Sequence, residues 1–336
     1  MRKLGIYYFL GIGDWILLTP ALVQVKKRSP STKIFVVTNR LLAPLLKNDK
    51  NIEGYSFLPD YSVFTENFRE DDFITAPNYT SIRPWESCKR HVVNIYARIL
   101  GVDSCVGFPV IRLQKKDDAF GRAFSEKFKK RVIVLYADSS YPVKRWDEKR
   151  WEEVVRKIKG YLFVQVGDKS HTSIKGAINM LGRTSLTEAF AIVKHARLLV
   201  GVDGVFSHVA KAFDVPRVIL WGPNHPQFIG YNTDSTNIFK KIRCNPCWSS
   251  DFYLLPEICQ SRCLNKKPCK CMSIIEASEV ADAVEKMLGG YRDAMPQGVV
   301  PALEGERACV SCRLRNKCLP DFFKVRFRDL LLLRDL

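Results

Sequence analysis

No run in the 336-residue sequence approaches the roughly 20 consecutive apolar residues that a membrane-spanning helix needs, so an integral membrane protein is not expected. The apolar stretch Leu4 to Leu10 behind Met-Arg-Lys imitates a secretory signal. Asp14 interrupts it, however, and no small-residue cleavage pattern follows, so export is not expected either. Acidic residues are scarce, 35 against 53 basic ones, and the formal charge of +18 calls for an acidic partner or surface. Nucleic acid, anionic lipid, a phosphorylated glycan and a nucleotide all satisfy that charge. No histidine pair follows the cysteines as in a zinc finger, and the basic residues are spread widely, which argues against a nucleic-acid-binding protein. Cysteine, by contrast, is plentiful. Eleven thiols in a chain read as cytosolic point to metal or free thiols rather than a disulfide framework.

Read in order, the chain has a βαβ rhythm. Lys3 to Phe9 reads as a strand that runs into Gly11-Ile-Gly13-Asp14, with a helix from Trp15 to Lys27 behind it. Strands follow at Lys33 to Thr38 and Gly54 to Leu58, flanking a short helix at Leu41 to Lys47. The Gly11-x-Gly13 pair permits a sharp turn and close ligand approach, but it lacks the later glycine and acidic partner of a dinucleotide fingerprint. Residues 60 to 90 read as irregular, Cys88 to Leu100 as a helix, and the charged residues 112 to 131 as the crossing to a second unit. There the rhythm repeats: a strand at Arg131 to Tyr136, a donor-rich loop to Trp146, a helix at Glu148 to Lys159 and a strand at Tyr161 to Val166. A short strand at Ile178 to Leu181 and a helix from Ser185 to Ala196 complete the approach to the most informative stretch.

That stretch is Leu198 to Pro223. A short apolar run is broken by Asp203 and Gly204, Phe206, Val209, Ala210 and Phe213 follow at helical spacing, and Val218 to Trp221 forms a second run. Strand, tight turn, helix, strand is the unit of a parallel sheet whose ligands bind at the strand C-terminal ends. The helix start offers backbone N–H groups to an anion, most often a phosphate. On these residues alone, Asp203 as a mere helix cap and His208 as a core filler stay open.

Four motifs occur in one order: Gly11-x-Gly13-Asp14-x4-Thr19-Pro20, Lys144-x-Trp146, Asp203-Gly204-x3-His208 and Trp221-Gly-Pro223-x2-Pro226. In this the chain resembles glycosyltransferase family 9, the heptosyltransferases of bacterial surface glycans, over roughly residues 3 to 288. The resemblance implies an α/β protein of GT-B fold, with two Rossmann-like domains facing a central cleft. It implies an acceptor-side domain at 1–125, a nucleotide-sugar domain at 126–288 with a Cys-rich metal-binding insertion at 244–272, and a C-terminal tail at 289–336. It also implies an inverting transfer from an ADP-sugar donor to a glycan or glycolipid acceptor, without a catalytic metal.

Asp14 matches the family position of the general base, its alternative being a helix N-cap. Lys144, with Arg145 beside it, would neutralise the leaving diphosphate, the alternative being a solvated lysine. Gly11, Gly13, Asp203, Gly204, Ser207 and His208 complete the expected nucleotide-sugar site, His208 either donating to a phosphate oxygen or anchoring the loop. The family carries Asp-Ser/Thr-Gly where this chain has Asp203-Gly204-Val205. A hydroxyl donor is lost, and Val205 cannot take a positive φ cheaply.

Cys244-Asn-Pro-Cys247, Cys259, Cys263, Cys269 and Cys271-Met272 form the second strong feature, with spacing that suits a tetrahedral metal. By similarity to family members, one protein-heptosylating branch of which binds iron, Cys244, Cys247, Cys263 and Cys271 are the expected ligands of a structural zinc or iron. Cys309, Cys312 and Cys318 would form a second site or contribute to the first. The terminal run Phe322 to Arg334 places apolar and basic residues along a candidate helix that either packs back on the body or lies on a membrane surface near a lipid-linked acceptor. The location implied is cytoplasmic, peripheral to the inner membrane. The rival readings are protein heptosylation and a non-catalytic sugar-nucleotide sensor.

Overall fold

The computed structural model describes residues 2–70, 72–77, 91–102, 107–129, 131–242, 244–247, 263, 269–290 and 324–328. They divide into two units, one formed by residues up to 112 together with 324–328, the other by 113–290.

In the first unit the expected alternation is present in β1 (Lys3–Tyr8), α1 (Ile12–Arg28), β2 (Lys33–Thr38), α2 (Ala43–Leu46) and β3 (Gly54–Phe57). The stretch read as irregular from residue 60 on instead holds α3 (Ser62–Thr65) and a sheet strand, β4 (Phe73–Thr75), before α4 (Val92–Ile99). The strands β4-β1-β2-β3 are parallel, in register through pairs such as Gly5↔Ile74, Tyr8↔Thr38 and Thr38↔Phe57. Helix α1 starts three residues earlier than its apolar pattern indicates, because Gly11 is the N-cap in extended conformation. Asp14 therefore lies in the first turn, where its charge favours the positive helix end, and Lys26, Lys27 and Arg28 sit at the other end.

The second unit holds α5 (Lys115–Lys127), β5 (Val132–Tyr136), α6 (Glu148–Lys157), β6 (Leu162–Gln165), β7 (Ile178–Asn179), α7 (Leu186–Lys194), β8 (Leu198–Val202), α8 (Val205–Ala212), β9 (Arg217–Trp221), α9 (Pro226–Ile229), β10 (Ser235–Phe239), α10 (Lys270–Ser273) and α11 (Ala277–Gly290). Its sheet runs β10-β9-β8-β5-β6-β7, every pair parallel. The order reverses direction between β5 and β8, which opens a crevice at their carboxyl ends. β5, β8 and β9 are buried along their whole length, as strands covered on both faces must be. Helix α7 carries a full capping box, Ser185 with Glu188.

Two further expectations change. The charged residues read as a crossing form α5, a helix of the second unit. Its packing surface is small rather than apolar: a Cβ on Gly121 would stand 2.4 Å from the Ala191 backbone, so only glycine lets α5 lie this close to α7. Ser125 Oγ donates to the His195 carbonyl at 2.7 Å, and Asp118 bonds Lys194 (2.7 Å) and His195 (2.8 Å). Hydrophobic spacing carries no trace of such a contact. The helix read from Cys88 is seen from Val92 onward, and Cys88 lies outside the described residues.

Residues 324–328 pack back on the first unit, 324–326 as a strand rather than the helix read from sequence. β11 (Lys324–Arg326) joins the first unit's sheet antiparallel to β4, and Phe327 enters a core of Phe35, Val37, Phe64 and Ile74. Phe327 meets Phe64 edge-on with centroids 5.7 Å apart. Among the described residues no helix is long and apolar enough to cross a membrane.

Candidate functional site

The N-terminal motif is built around a proline inside a helix. Pro20 has no N–H for the Ile16 carbonyl one turn back; the Thr19 hydroxyl takes over, donating to that carbonyl at 2.7 Å. The same oxygen accepts the Val110 N–H at 2.9 Å. Thr19 and Pro20 thus hold the helix that displays Asp14, and Asp14 itself is half-buried just beyond β1. Gly11 and Gly13 occupy the same turn, with Gly11 as its N-cap. A small hollow of about 20 Å³ lies along α1 at Trp15, Ile16 and Thr19, and neither Asp14 nor the anion-site residues below line it.

In the second unit, the loop after β5 and the turn after β8 meet at the crevice where the strand order reverses. Lys144 Nζ lies 2.7 Å from Asp203 Oδ2, and both side chains are almost wholly buried. Asn224, just beyond β9, donates to the same oxygen at 2.8 Å. Asp203 is therefore not a helix cap. The N-cap of α8 is Gly204, in extended backbone that any residue adopts, and Val205 is the first helical residue with no positive φ demanded of it. The departure from Asp-Ser/Thr-Gly carries no backbone strain. Gly204 is required for another reason, since a Cβ there would stand 2.6 Å from the Tyr136 ring.

The motif partners explain why Lys144 is held still. Trp146 Nε1 donates to the Ile275 carbonyl at 3.2 Å and stacks edge-on with Trp151, whose own Nε1 donates to Ala137. Arg145, expected on the phosphates, pairs with Asp138 at 2.6 Å and donates to the Ser139 carbonyl. His208 is buried, and its Nδ1 bonds the Tyr231 hydroxyl at 3.0 Å, which ties α8 to the segment after α9. Asp203 Oδ1 and Ser207 Oγ are buried with no hydrogen-bond partner among the described residues. Such atoms are normally satisfied, and at a strand terminus an incoming ligand would satisfy them.

Sequence reading missed three members of this constellation. Tyr136 is its floor: its ring packs on Phe206 at 4.9 Å and on His171 at 6.2 Å, and burial, with Asp138 and Asp203 nearby, pushes its phenol well up. Asn224 and Tyr231 are the others. Only the position of Asn224, after a Gly-Pro turn at a strand end, could have drawn attention to it.

The thiols of the cysteine segment gather. Cys269 has Cys263, Cys271 and Cys247 as electrostatic neighbours, and Cys271 has Cys263 and Cys244. Burial is the main force pushing Cys271 up to about 11 and Cys269 higher. Among the described residues no group of three or more His, Cys, Asp or Glu stands in metal-holding arrangement. Cys269, absent from the four-cysteine set expected from sequence, belongs to the same cluster. Cys259, Cys309, Cys312 and Cys318 lie outside the described residues.

Comparison with known proteins bears on these sites together. Residues 88–253 match the model of glycosyltransferase family 9 (heptosyltransferase). Lipopolysaccharide heptosyltransferase 1 of Pseudomonas aeruginosa is 25% identical over 169 residues, 46% of this chain and 48% of that protein. The autotransporter heptosyltransferase Aah of Escherichia coli is 24% identical over 168 residues, 46% and 42%. The chain thus spans about half the length of the curated relatives it matches. Among solved structures, the iron-containing dodecameric heptosyltransferase TibC of enterotoxigenic E. coli H10407, in complex with ADP-D-beta-D-heptose, superposes with TM-score 0.67 at 16% identity, covering 86% of this chain and 76% of that one. That likeness shows the fold, two GT-B-like α/β units with parallel sheets. The family model, the relatives and the fold agree, and the chain is similar to the heptosyltransferases of glycosyltransferase family 9.

Proposed function

We propose that the protein is an inverting glycosyltransferase that moves a heptose-type sugar from a nucleotide diphosphate, ADP-heptose in the first instance, to a lipopolysaccharide-type glycan acceptor. The observation that carries this reading is the Lys144–Asp203–Asn224 constellation at the carboxyl edge of β5, β8 and β9. A buried ammonium fixed at a strand-order reversal, beside the N-terminus of α8, is suited to a leaving diphosphate. Asp203 acts through Lys144: its carboxylate would repel a diphosphate, and it holds the lysine in one place. Gly204 and Ser207 supply the turn along which the phosphates lie, and Arg145 and His208 brace it. Asp14, supplied by the first unit with Gly11 and Gly13, takes the proton of the attacking acceptor hydroxyl, worth about 10²–10⁴ in rate.

The test is sugar transfer or donor hydrolysis by the purified full chain, compared with Asp14→Ala. A thermal-shift screen against ADP, GDP, UDP and their sugar conjugates identifies the base. Turnover surviving unchanged in Asp14→Ala would remove the carboxylate from the mechanism. Tight ADP-heptose binding without turnover would instead mark a sugar-nucleotide sensor. The cytoplasmic face of the inner membrane is the location that a lipid-linked acceptor requires.

The cysteine cluster favours a second acceptor reading, heptosylation of a protein, because the solved iron-containing relative and an autotransporter heptosyltransferase both match this chain. Cys244, Cys247, Cys263 and Cys271 would hold a structural zinc or iron, with Cys269 alongside. Gathered, desolvated thiols are the donor chemistry such an ion needs. The ion's contribution would be a cross-link that folds the segment, with no part in transfer. Elemental analysis of anaerobically purified protein decides it: no stoichiometric metal, and no loss of thermal stability with chelator, sinks the site.

A further inference from the structure

Two buried tyrosines converge on the turn that displays Asp14. Tyr8 ends β1, is fully buried, and its hydroxyl donates to the Gly11 carbonyl at 3.0 Å. Its ring meets Trp15 edge-on at 5.0 Å. Gly11 is the N-cap of α1, and Asp14 Oδ2 lies 3.4 Å from where a Cβ on Gly11 would stand, so the carboxylate folds back over the residue that Tyr8 grips. Tyr96, on α4, is likewise fully buried, and α4 packs along α1. Burial, with the Tyr8 hydroxyl and the Asp14 carboxylate as neighbours, holds the Tyr96 phenol well above its ordinary value and therefore neutral. Burying a hydroxyl costs free energy that a phenylalanine ring in the same space avoids. Packing alone does not account for two of them beside one turn.

We infer that Tyr8 and Tyr96 are positioning residues for Asp14: Tyr8 pins the N-cap carbonyl, Tyr96 backs it with a second buried phenol, and the carboxylate keeps one placement at the end of β1. The inference rests on Asp14 as the base, as proposed above. Its physical content is that a helix's first turn is the part that frays, because its N–H groups have no partners within the helix. A general base must meet its proton within hydrogen-bond reach, and a displacement of about 1 Å can cost about 10²-fold in rate. The Tyr8 bond removes that freedom by tying the N-cap to the buried strand.

The test uses the full chain with Tyr8→Phe and Tyr96→Phe, which keep ring volume, beside Asp14→Asn. With ADP-heptose as donor, Tyr8→Phe should lower kcat about tenfold or more and leave the donor KM within about twofold, at an unchanged melting temperature. The acid limb of the pH–rate profile should move with it. The carboxyl carbon of Asp14, assigned in the NMR spectrum by its disappearance in Asp14→Asn, supplies a readout that needs no turnover. Its titration midpoint should move by about half a unit or more in both tyrosine variants. If Asp14→Asn remains active, the base reading fails, and the carboxyl titration still judges the tyrosines. A titration unmoved in both variants, with kcat unmoved in Tyr8→Phe, overturns the inference.

Discussion

Lys144 Nζ and Asp203 Oδ2 lie 2.7 Å apart with both side chains nearly excluded from water, so two residues assigned separately to one anion are in fact each other's partners. Removing one member of a buried pair leaves a bare charge, typically at a cost of about 3–5 kcal/mol, whereas replacing both with apolar groups is often neutral. Asp203→Ala should therefore lower stability by about that amount in urea unfolding. The double variant Lys144→Met, Asp203→Leu should recover most of it. Neither should bind ADP-heptose in calorimetry, and Lys144→Ala should lose about 10²-fold in kcat. Full donor affinity in the double variant would remove the pair from the site.

Thr19 stands in for the N–H that Pro20 lacks. In Thr19→Val, the Ile16 carbonyl and the Val110 N–H both lose a partner, at a cost of about 1–3 kcal/mol. Thr19→Ser keeps the oxygen and should keep most of the stability. Chemical denaturation compares the two, and equal losses would show that the methyl group, not the hydroxyl, is what counts.

Phe327 is 2% exposed and closes the first unit's core against Phe64. Truncating such a residue costs about 3–5 kcal/mol. Phe327→Ala should accelerate hydrogen exchange at the β4 amides, the strand to which β11 is paired, and leave β8 and β9 protected. Unaltered protection in β4, with vesicle binding by the full chain but not by one ending at residue 318, would favour the membrane-surface role for the tail.

Asp118 is held below the usual carboxylate range first by its hydrogen bond to Lys194, then by the one to His195. A carboxyl lowered in the folded state contributes stability above its unfolded value of about 3.9 and loses it as pH falls through the folded value. Stability of the wild type should thus drop more steeply below about pH 4 than that of Asp118→Asn, as read from melting temperatures against pH. Parallel curves would show that the α5–α7 contact rests on Gly121 and Ser125 alone.

Most of the fold was legible in the chain, because its signals are local. The strand runs Lys33 to Thr38 and Leu198 to Val202, the capping box at Ser185 and the helix after Gly204 each report their own backbone state through apolar spacing or turn chemistry. Helix α5 escaped because its contact depends on the absence of a side chain at Gly121, and absence has no periodicity. The candidate residues Asp14, Lys144 and Asp203 were also found from sequence, through motifs in a fixed order.

The order of residue types along the chain was enough to determine two α/β repeats, the strand-ending turns of the candidate site, and which charged groups stand at them. Tertiary structure alone decided what those groups do to one another. It made Asp203 the counter-ion of Lys144, gave His208 to Tyr231, drew in Asn224, and laid residues 324–326 on β4 from far along the chain. The physical reason is distance: backbone propensity acts over a few neighbouring residues, whereas burial and charge pairing depend on what the folded sheet brings within 3 Å.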